Sequence, residues 1–520
     1  VWADDATAVV ELTEALRTAN GTQRLRPIQA VAIREALKCG GLLLNARVGA
    51  GKTLVAALLC TLFEDMRPLM IVPGGHNRSK ADPLGKTGRE IAAYREHWKI
   101  SHNLQIVSYN DISRDVDERL LATYRPGAII CDEADKLRRV TASGCARRIA
   151  KYMSATPGTL FFSMSGTMWK EGVRDFAHLA AWALRNGSPL PLIPSEIDQW
   201  HNVLKGERGL APKVAAQLGC SVEDIPGAFR ERLTQTPGVI ISTDQFTDVP
   251  LTLERVAIDA GTRRELMTLY TDGVTPDGWD ALEDGQDESE SGTGTWAQAR
   301  RLALGFYHRP DPVPPKPWML ARRGYARLVT RMMSEFNTEL QVRRWAEKEQ
   351  HPTWIKWRDI QPTFTPNFVP VWLTDSALTY CAEWGQAGGI VWTDHRAFAA
   401  RLAQETGWRW FAGGGVDGSG MPIESCTDST IIASRQANGT GRNLQRWNRA
   451  LITACPGSGR DVEQLLGRQH REGQSKPVEV SIMIGCITHA EDLDKAIALS
   501  QQEEIEMGRV SKISTCTWRE

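Results

Sequence analysis

Gly41-Leu-Leu-Leu-Asn45 runs straight into Ala46-Arg-Val-Gly-Ala-Gly-Lys-Thr53, and an apolar stretch, Leu54 to Phe63, comes next. The order is a buried strand, a glycine-bearing turn and a helix. Glycines let such a turn fold tightly, so that successive backbone N–H groups face an anion. The N-terminus of the next helix adds a favourable field for negative charge. In that setting Gly49, Ala50 and Gly51 form a phosphate cradle, Lys52 reaches the β- and γ-phosphates, and Thr53 ligates Mg2+. The loop departs from the strict pattern at its first position, where Ala46 replaces glycine. A strand–turn–helix of no function is the bland alternative, and the Gly-Lys-Thr ending in this context argues against it.

Outward from this loop the same rhythm continues. Leu69–Val72, Leu104–Val107, Ala128–Ile130 and Leu160–Phe162 read as further short apolar strands. Strands separated by helical patterns predict a parallel sheet with crossovers. The rhythm breaks over about 251–385. There Asp277 to Gly294 is acidic and rich in Gly and Ser, which predicts an exposed loop. Asp311 to Pro317 is a stiff proline-rich connector, and Met319 to Glu349 is helical and rich in arginine. From about 386 the α/β pattern returns, with strands at Gly389–Trp392, Thr430–Ala433, Ala450–Thr453 and Val478–Ile482 and a helix over Ala397–Glu405. The chain thus reads as three zones, 1–250, 251–385 and 386–520.

Composition narrows the classes. At roughly 150 residues per domain, 520 residues make about three domains. The hydrophobic share of 42% and charged share of 24% exclude wholesale disorder. No run approaches the apolar length of a membrane helix, so no membrane partner is expected. No signal peptide is read at Val1-Trp-Ala-Asp-Asp5. The ten cysteines contain no CxxC pair, which predicts free thiols in an intracellular setting. Lys plus Arg balances Asp plus Glu at 62 each, so any polyanion must be met by a local basic groove.

The strand Ala128-Ile-Ile-Cys131 ends in Asp132-Glu133-Ala134-Asp135. Two acids at a strand end, downstream of a phosphate loop, fit the metal-and-base end of a nucleotide site. Asp132 would hold Mg2+ and Glu133 would position and deprotonate the attacking water. Taken alone, an acidic loop is usually solvated surface.

The order of these motifs resembles the superfamily-two helicases, and within them the Swi/Snf family of double-stranded DNA translocases. Leu25-Arg-Pro-Ile-Gln29 resembles that family's opening motif, which places Arg26 and Gln29 at the ATP, Gln29 on the adenine. Ser165-Gly166-Thr167 resembles the motif coupling hydrolysis to lobe movement. Ser154-Ala-Thr-Pro157 is a nearby decoy, disfavoured because an apolar strand precedes Ser165 and a helical run comes after it. Asn438-Gly-Thr-Gly-Arg-Asn-Leu-Gln445 resembles the Gly-x-Gly-x-Asn-Leu motif, with Arg442 unusual for the family. Gln464-Leu-Leu-Gly-Arg-Gln-His-Arg-Glu-Gly-Gln474 resembles the arginine-finger motif. The ending His-Arg-x-Gly-Gln separates it from DEAD-box RNA helicases, despite the literal Asp-Glu-Ala-Asp.

The resemblance implies two RecA-like α/β lobes flanking a nucleotide cleft, joined by a mainly helical insertion. It implies an ATP- and Mg2+-dependent, DNA-stimulated ATPase in which Arg468 and Arg471 reach the γ-phosphate. Ser165, Gly166, Thr167, Thr440, Gly441, Asn443 and Gln464 would serve coupling and nucleic-acid contact. Further loops placed on the nucleic acid are Pro73–His76, Ser108–Asn110, Thr393–Arg396 and Asn438–Thr440. The expected partner is DNA, double-stranded, with a protein that directs the motor. The resemblance adds the expectation of a cytoplasmic or nucleoid-associated place. Rival readings are a strand-separating or annealing helicase, an assembly component with a regulatory ATP switch, and an RNA-directed motor. The basic, Trp-bearing stretches around Arg322-Arg323, Arg343-Arg344-Trp345 and Lys356-Trp357-Arg358 suit a duplex or partner grip, or, more blandly, helices with buried Trp and a solvated basic face.

Overall fold

The computed structural model describes residues 6–47, 49–74, 85–115, 119–138, 143–166, 168, 172–242, 247–277, 294–332, 339–365, 367–439, 442–508 and 511–519. The acidic stretch beyond Asp277 therefore lies almost wholly outside the described residues. The chain divides into two compact units, 1–245 with 499–511, and 246–498 with 512–520.

The first unit is built on strands β1 (Gly41–Asn45), β2 (Pro68–Val72), β3 (Gln105–Ser108), β4 (Ala128–Asp132), β5 (Leu160–Ser165) and β6 (Val239–Ile241). They pair in parallel in the order β3-β2-β4-β5-β1-β6. Residues of β1, β2 and β4 are buried throughout, as expected of a parallel sheet covered by helices on both faces. The register sets where these strands end. Asn45 lies opposite Ser165, and Asp132 opposite Met164, so the ends of β1, β4 and β5 come level. Ligands in such sheets gather at the carboxyl ends of the strands.

The second unit carries a seven-stranded sheet in the order β11-β12-β10-β13-β14-β7-β15. Its members are β7 (Leu251–Ala257), β10 (Gly389–Trp392), β11 (Arg409–Phe411), β12 (Thr430–Ala433), β13 (Arg449–Ile452), β14 (Val478–Ile484) and β15 (Thr517–Arg519), all paired in parallel. The two sheets make the two RecA-like lobes expected. The segment 251–385 opens with a strand of the second lobe: β7 runs beside β14 for seven residue pairs, Leu251 with Val478 through Ala257 with Ile484.

The same segment holds an antiparallel hairpin, β8 (Phe306–Pro310) with β9 (Phe368–Trp372). Its root packs on the lobe: Phe306, Phe398 and Val391 share one core. At its far end Pro310 pairs with Phe368, and Asp311 N–H donates to the Asn367 carbonyl at 2.7 Å. The described residues between form a helical module with helices Lys316–Met332, Glu339–Lys348 and Pro352–Ile360. Among the described residues, the arginine-rich pattern read as helical over 319–349 falls in the helices Lys316–Met332 and Glu339–Lys348. The module has its own core of Trp318, Tyr325, Leu328, Val342, Trp354 and Trp357. The chain has 18 tryptophans; several serve packing here, and Trp98, Trp200, Trp392 and Trp447 are buried elsewhere. Among the described residues no helix is long and apolar enough to cross a membrane.

Candidate functional site

In the first lobe the turn after β1 behaves as its glycines require. Gly49 and Gly51 have φ of 92° and 77°, values that suit glycine, and Gly51 caps the helix Lys52–Leu62. The turn is braced from outside. Arg26 Nη1 donates to the Gly49 carbonyl at 2.7 Å, and Gln29 Nε2 to the Ala50 carbonyl at 3.0 Å. Gln29 Oε1 accepts from the Arg26 N–H at 2.9 Å, so the two braces hold each other. The fit is tight: a Cβ on Gly51 would fall 2.2 Å from Gln29 Nε2. Arg26 and Gln29 are thus brought to the loop, and in this structure their polar atoms engage its backbone.

Inside the turn, the buried Lys52 ammonium donates to the carbonyls of Ala46 (3.1 Å) and Arg47 (3.4 Å) and lies 3.8 Å from Glu133 Oε1. Thr53 Oγ1 donates to Asp132 Oδ2 at 2.8 Å. Burial, reinforced by the neighbouring Glu133 charge, pushes the Asp132 carboxyl up to about 6, while Lys52 and the Thr53 hydroxyl pull it back. A buried carboxylate beside another carboxylate is stabilised by a nearby cation. Thr53 and Asp132 offer the hard oxygens Mg2+ prefers, so the residues fit that ion.

Glu133 has φ of 55°, left-handed for a residue with a Cβ. Such backbone costs on the order of 1–3 kcal/mol and is held where the surroundings over-determine it. One restraint is Tyr109, whose hydroxyl donates to the Asp132 carbonyl at 2.8 Å. Another is Asp135, fully inside the lobe, which accepts from Ser165 Oγ at 3.2 Å. The acidic motif and the end of β5 are therefore joined directly. Gly166 is buried beside it; Thr167 lies outside the described residues. Ser154 instead occupies the last turn of the helix Gly144–Ala155.

Of the loops expected at nucleic acid, Gly74 and Asn110 come together at the ends of β2 and β3: a Cβ on Gly74 would meet Asn110 Nδ2 at 2.2 Å. Residues 75–76 lie outside the described residues.

The second lobe gathers its own motifs. Arg468 is buried; its Nε donates to the Gln464 carbonyl at 2.9 Å and its Nη1 to the Arg442 carbonyl at 3.0 Å. Leu444 N–H donates back to the Arg468 carbonyl at 3.0 Å. Gln474 Nε2 donates to the Gln445 carbonyl at 2.9 Å, and Gln469 Nε2 to those of Trp447 and Arg449. The Asn443–Gln445 and Gln464–Gln474 segments are thus one hydrogen-bonded piece. Gln464 is buried, Arg471 half-buried and Asn443 exposed; Thr440 and Gly441 lie outside the described residues.

Sequence reasoning gave no role to Arg442. Its guanidinium pairs with Glu424 at 2.9 Å and donates to the Gly414 carbonyl at 2.6 Å. The signal was its oddity within the motif, but what it touches is a glycine-rich loop that no motif marks. A pocket of about 230 Å3 opens beside that loop, lined by Thr393–Arg396, Trp410, Gly413 and Ser434 among others. Asp394 shapes its wall, accepting from Arg435 Nε at 2.6 Å and from Gln436 N–H at 2.9 Å. Asn438, expected at the nucleic acid, is instead fully buried, its Nδ2 donating to the Phe411 carbonyl at 3.0 Å.

Comparison with solved structures finds the chain similar to the SWI2/SNF2 ATPase core of Sulfolobus solfataricus, solved in complex with double-stranded DNA. Identity is 15%, coverage 94% of this chain and 97% of that one, and the TM-score 0.32. It is also similar to the C-terminal part of the Fun30 ATPase domain, at 15% identity, with 50% of this chain and 97% of that one covered and a TM-score of 0.25. At such scores neither likeness speaks to what this chain binds or does. No family model and no curated protein matches the sequence.

The site gathers chemistry of a kind suited to phosphates. It brings together a glycine turn, a buried ammonium, a hydroxyl, a carboxylate shifted toward neutrality and a second carboxylate on strained backbone. These are the parts needed to hold phosphates, hold a divalent cation and orient a water.

Proposed function

We propose that this chain is an ATP-hydrolysing motor of Swi/Snf type that moves along duplex DNA or remodels it. The observation that carries the reading is the convergence of Lys52, Thr53, Asp132 and Glu133 at the ends of β1 and β4. Lys52 exchanges its neutral carbonyl partners for the β- and γ-phosphates, a stronger, charge-assisted pairing. Thr53 and Asp132 would hold Mg2+, which would supply neutralisation of phosphate charge. Glu133 orients the attacking water and accepts its proton. Arg471 and Arg468, from the second lobe, complete the charge neutralisation when the γ-phosphate is present, so hydrolysis depends on lobe closure. Ser165, bonded to Asp135, carries that event to the end of β5. Alternating affinity for ATP and ADP then shifts the population between closed and open states.

Duplex DNA is favoured over RNA by the motif ending His470-Arg-Glu-Gly-Gln474. The pocket of Thr393–Arg396 offers backbone and hydroxyl groups, and the Gly74–Asn110 pair backbone and amide groups, suited to phosphate contacts. The test is ATPase rate with duplex DNA, single-stranded DNA and RNA, with Lys52→Ala as control. Stimulation by duplex DNA, lost in Lys52→Ala, supports the reading. A chain stimulated by no nucleic acid is instead an assembly component with an ATP switch.

A further inference from the structure

The helical module at the tip of the β8–β9 hairpin adds nothing to either lobe's sheet, yet its charge is distinctive. Residues 316–364 hold ten Lys or Arg against five Asp or Glu, in a chain whose total is balanced. The imbalance is concentrated on one helix. Lys316–Met332 carries Lys316, Arg322, Arg323, Arg327 and Arg331 and has no acidic residue over seventeen positions. With 3.6 residues per turn, Lys316, Arg323, Arg327 and Arg331 fall within an arc of about 80°. Trp318, Ala321, Tyr325, Leu328 and Met332, all buried, occupy the opposite side.

The sign pattern of this stripe is unusual for a solvated face. Solvated helix faces mix signs, because like charges four residues apart cost about 0.2–0.5 kcal/mol per pair. Arg323, Arg327 and Arg331 stand four apart, twice over, with no acid between them on that helix. Lys316, Arg327 and Arg331 are exposed and Arg323 half-exposed. The tryptophans that could have stacked on bases are not available: Trp318 and Trp357 pack ring to ring at 5.1 Å inside the module, and Trp354 packs on Tyr325 at 5.3 Å. The charge that the helix Lys316–Met332 presents is wholly cationic.

The hairpin also places the module. Phe306, at its root, lies against His395, ring centroids 6.0 Å apart, and His395 lines the 230 Å3 pocket of the second lobe. The strand Phe306–Pro310 leads about 15 Å away from that root, and Lys316 comes six residues after Pro310. The stripe's span from Lys316 to Arg331 is about 22 Å. That matches about six base pairs of duplex rise.

We infer that the Lys316–Arg331 face of the hairpin module is a second, sequence-independent contact for the phosphate backbone of duplex DNA. The inference rests on the reading of the chain as a duplex DNA motor. Counterion release makes it measurable, since each phosphate contact contributes about −0.9 to the slope of log affinity against log salt.

The experiment compares the full-length chain with Arg323→Gln/Arg327→Gln/Arg331→Gln. Binding of a 30-base-pair duplex is followed by fluorescence anisotropy across salt concentrations, and ATPase is measured with and without that duplex. Expected are a loss of duplex affinity of roughly ten- to several-hundredfold near 0.1 M salt and a salt slope shallower by about 2 to 3, with ATPase in the absence of DNA unchanged. Wild-type protein that is duplex-stimulated, with the triple variant matching it in affinity and slope, overturns this inference and leaves the motor reading standing. Wild-type protein that binds no duplex overturns both. A triple variant that keeps duplex affinity but loses binding to poly-L-glutamate overturns it in favour of an acidic protein partner.

Discussion

The hydroxyl of Thr53 and the carboxylate of Asp132, 79 residues apart in sequence, meet at 2.8 Å. That contact joins the phosphate loop to the acidic motif. It also makes a prediction about metal. Asp132 must be ionised to hold Mg2+, and its carboxyl sits near 6. Mg2+ affinity, read by metal titration in the presence of a non-hydrolysable ATP analogue, should therefore rise about tenfold per pH unit below 6 and level off above it. Asp132→Asn should weaken it and flatten that rise. A wild-type affinity that does not change between pH 5 and 7 would remove Asp132 from the metal.

Glu133 sits beside Lys52 on left-handed backbone. Glu133→Gln keeps the side chain's shape and removes its basicity. ATP binding, followed by equilibrium titration, should be retained, while turnover falls by about 10²- to 10⁴-fold. Turnover at the wild-type rate would mean that another group takes the proton.

The fit between Gly51 and Gln29 sets a third expectation. Gly51→Ala places a methyl where Gln29 Nε2 stands and demands φ of 77° of a residue with a Cβ. ATP binding should be lost with the fold retained, as judged by circular dichroism. Gln29→Ala leaves the Ala50 carbonyl and the Arg26 N–H without these partners, at about 1–3 kcal/mol. It should weaken ATP by about tenfold or more, and by the same factor for GTP if Gln29 braces the loop and does not read the base.

Much of the fold and of the phosphate site was legible because the chemistry is local. The loop 46–53, the pair Asp132-Glu133 and strands β1, β2, β4, β5, β10, β12, β13 and β14 are each marked by a short apolar run or a glycine pattern. What escaped was non-local. Strand β7 alternates in burial, and only its pairing with β14 makes it part of the sheet. Strand β9 contains Pro370 and is half-exposed, so its sequence argues against a strand; it is tolerated because the hairpin has only two strands. The braces on the phosphate loop and the link from Arg442 to Gly414 are contacts between distant segments, which residue spacing does not encode.

His178 predicts how the first lobe responds to acid. Its Nε2 is 2.9 Å from the Leu137 carbonyl, at the end of the turn Ala134–Leu137 that comes after Glu133, and its ring packs edge-on against Trp182. Burial lowers it to about 4 from an ordinary 6.5. The neutral ring is the native form, so its contribution is present above pH 6.5 and is lost as pH falls toward 4. The loss is at most about 3 kcal/mol. Urea midpoints should fall over that window, and less so in His178→Gln. Equal pH dependence in both proteins would place the acid sensitivity elsewhere.

Arg442 stands between the Gln464–Gln474 segment and a loop, and its contacts mark it as a positioning residue. Its carbonyl accepts from Arg468, while its guanidinium holds Glu424 and the Gly414 carbonyl beside the pocket of Thr393–Arg396. A Cβ on Gly415 would fall 1.9 Å from Arg442 Nη2, so the loop is shaped around this side chain. Arg442→Ala should free the loop without touching the phosphate site. Duplex-stimulated kcat should fall by about tenfold, the ATP KM should hold, and unstimulated ATPase should be unchanged. Arg442→Lys should not rescue, because one ammonium cannot reproduce a guanidinium fork that engages a carboxylate and a carbonyl together. An increase in ATP KM equal to the loss in kcat would instead place Arg442 at the nucleotide.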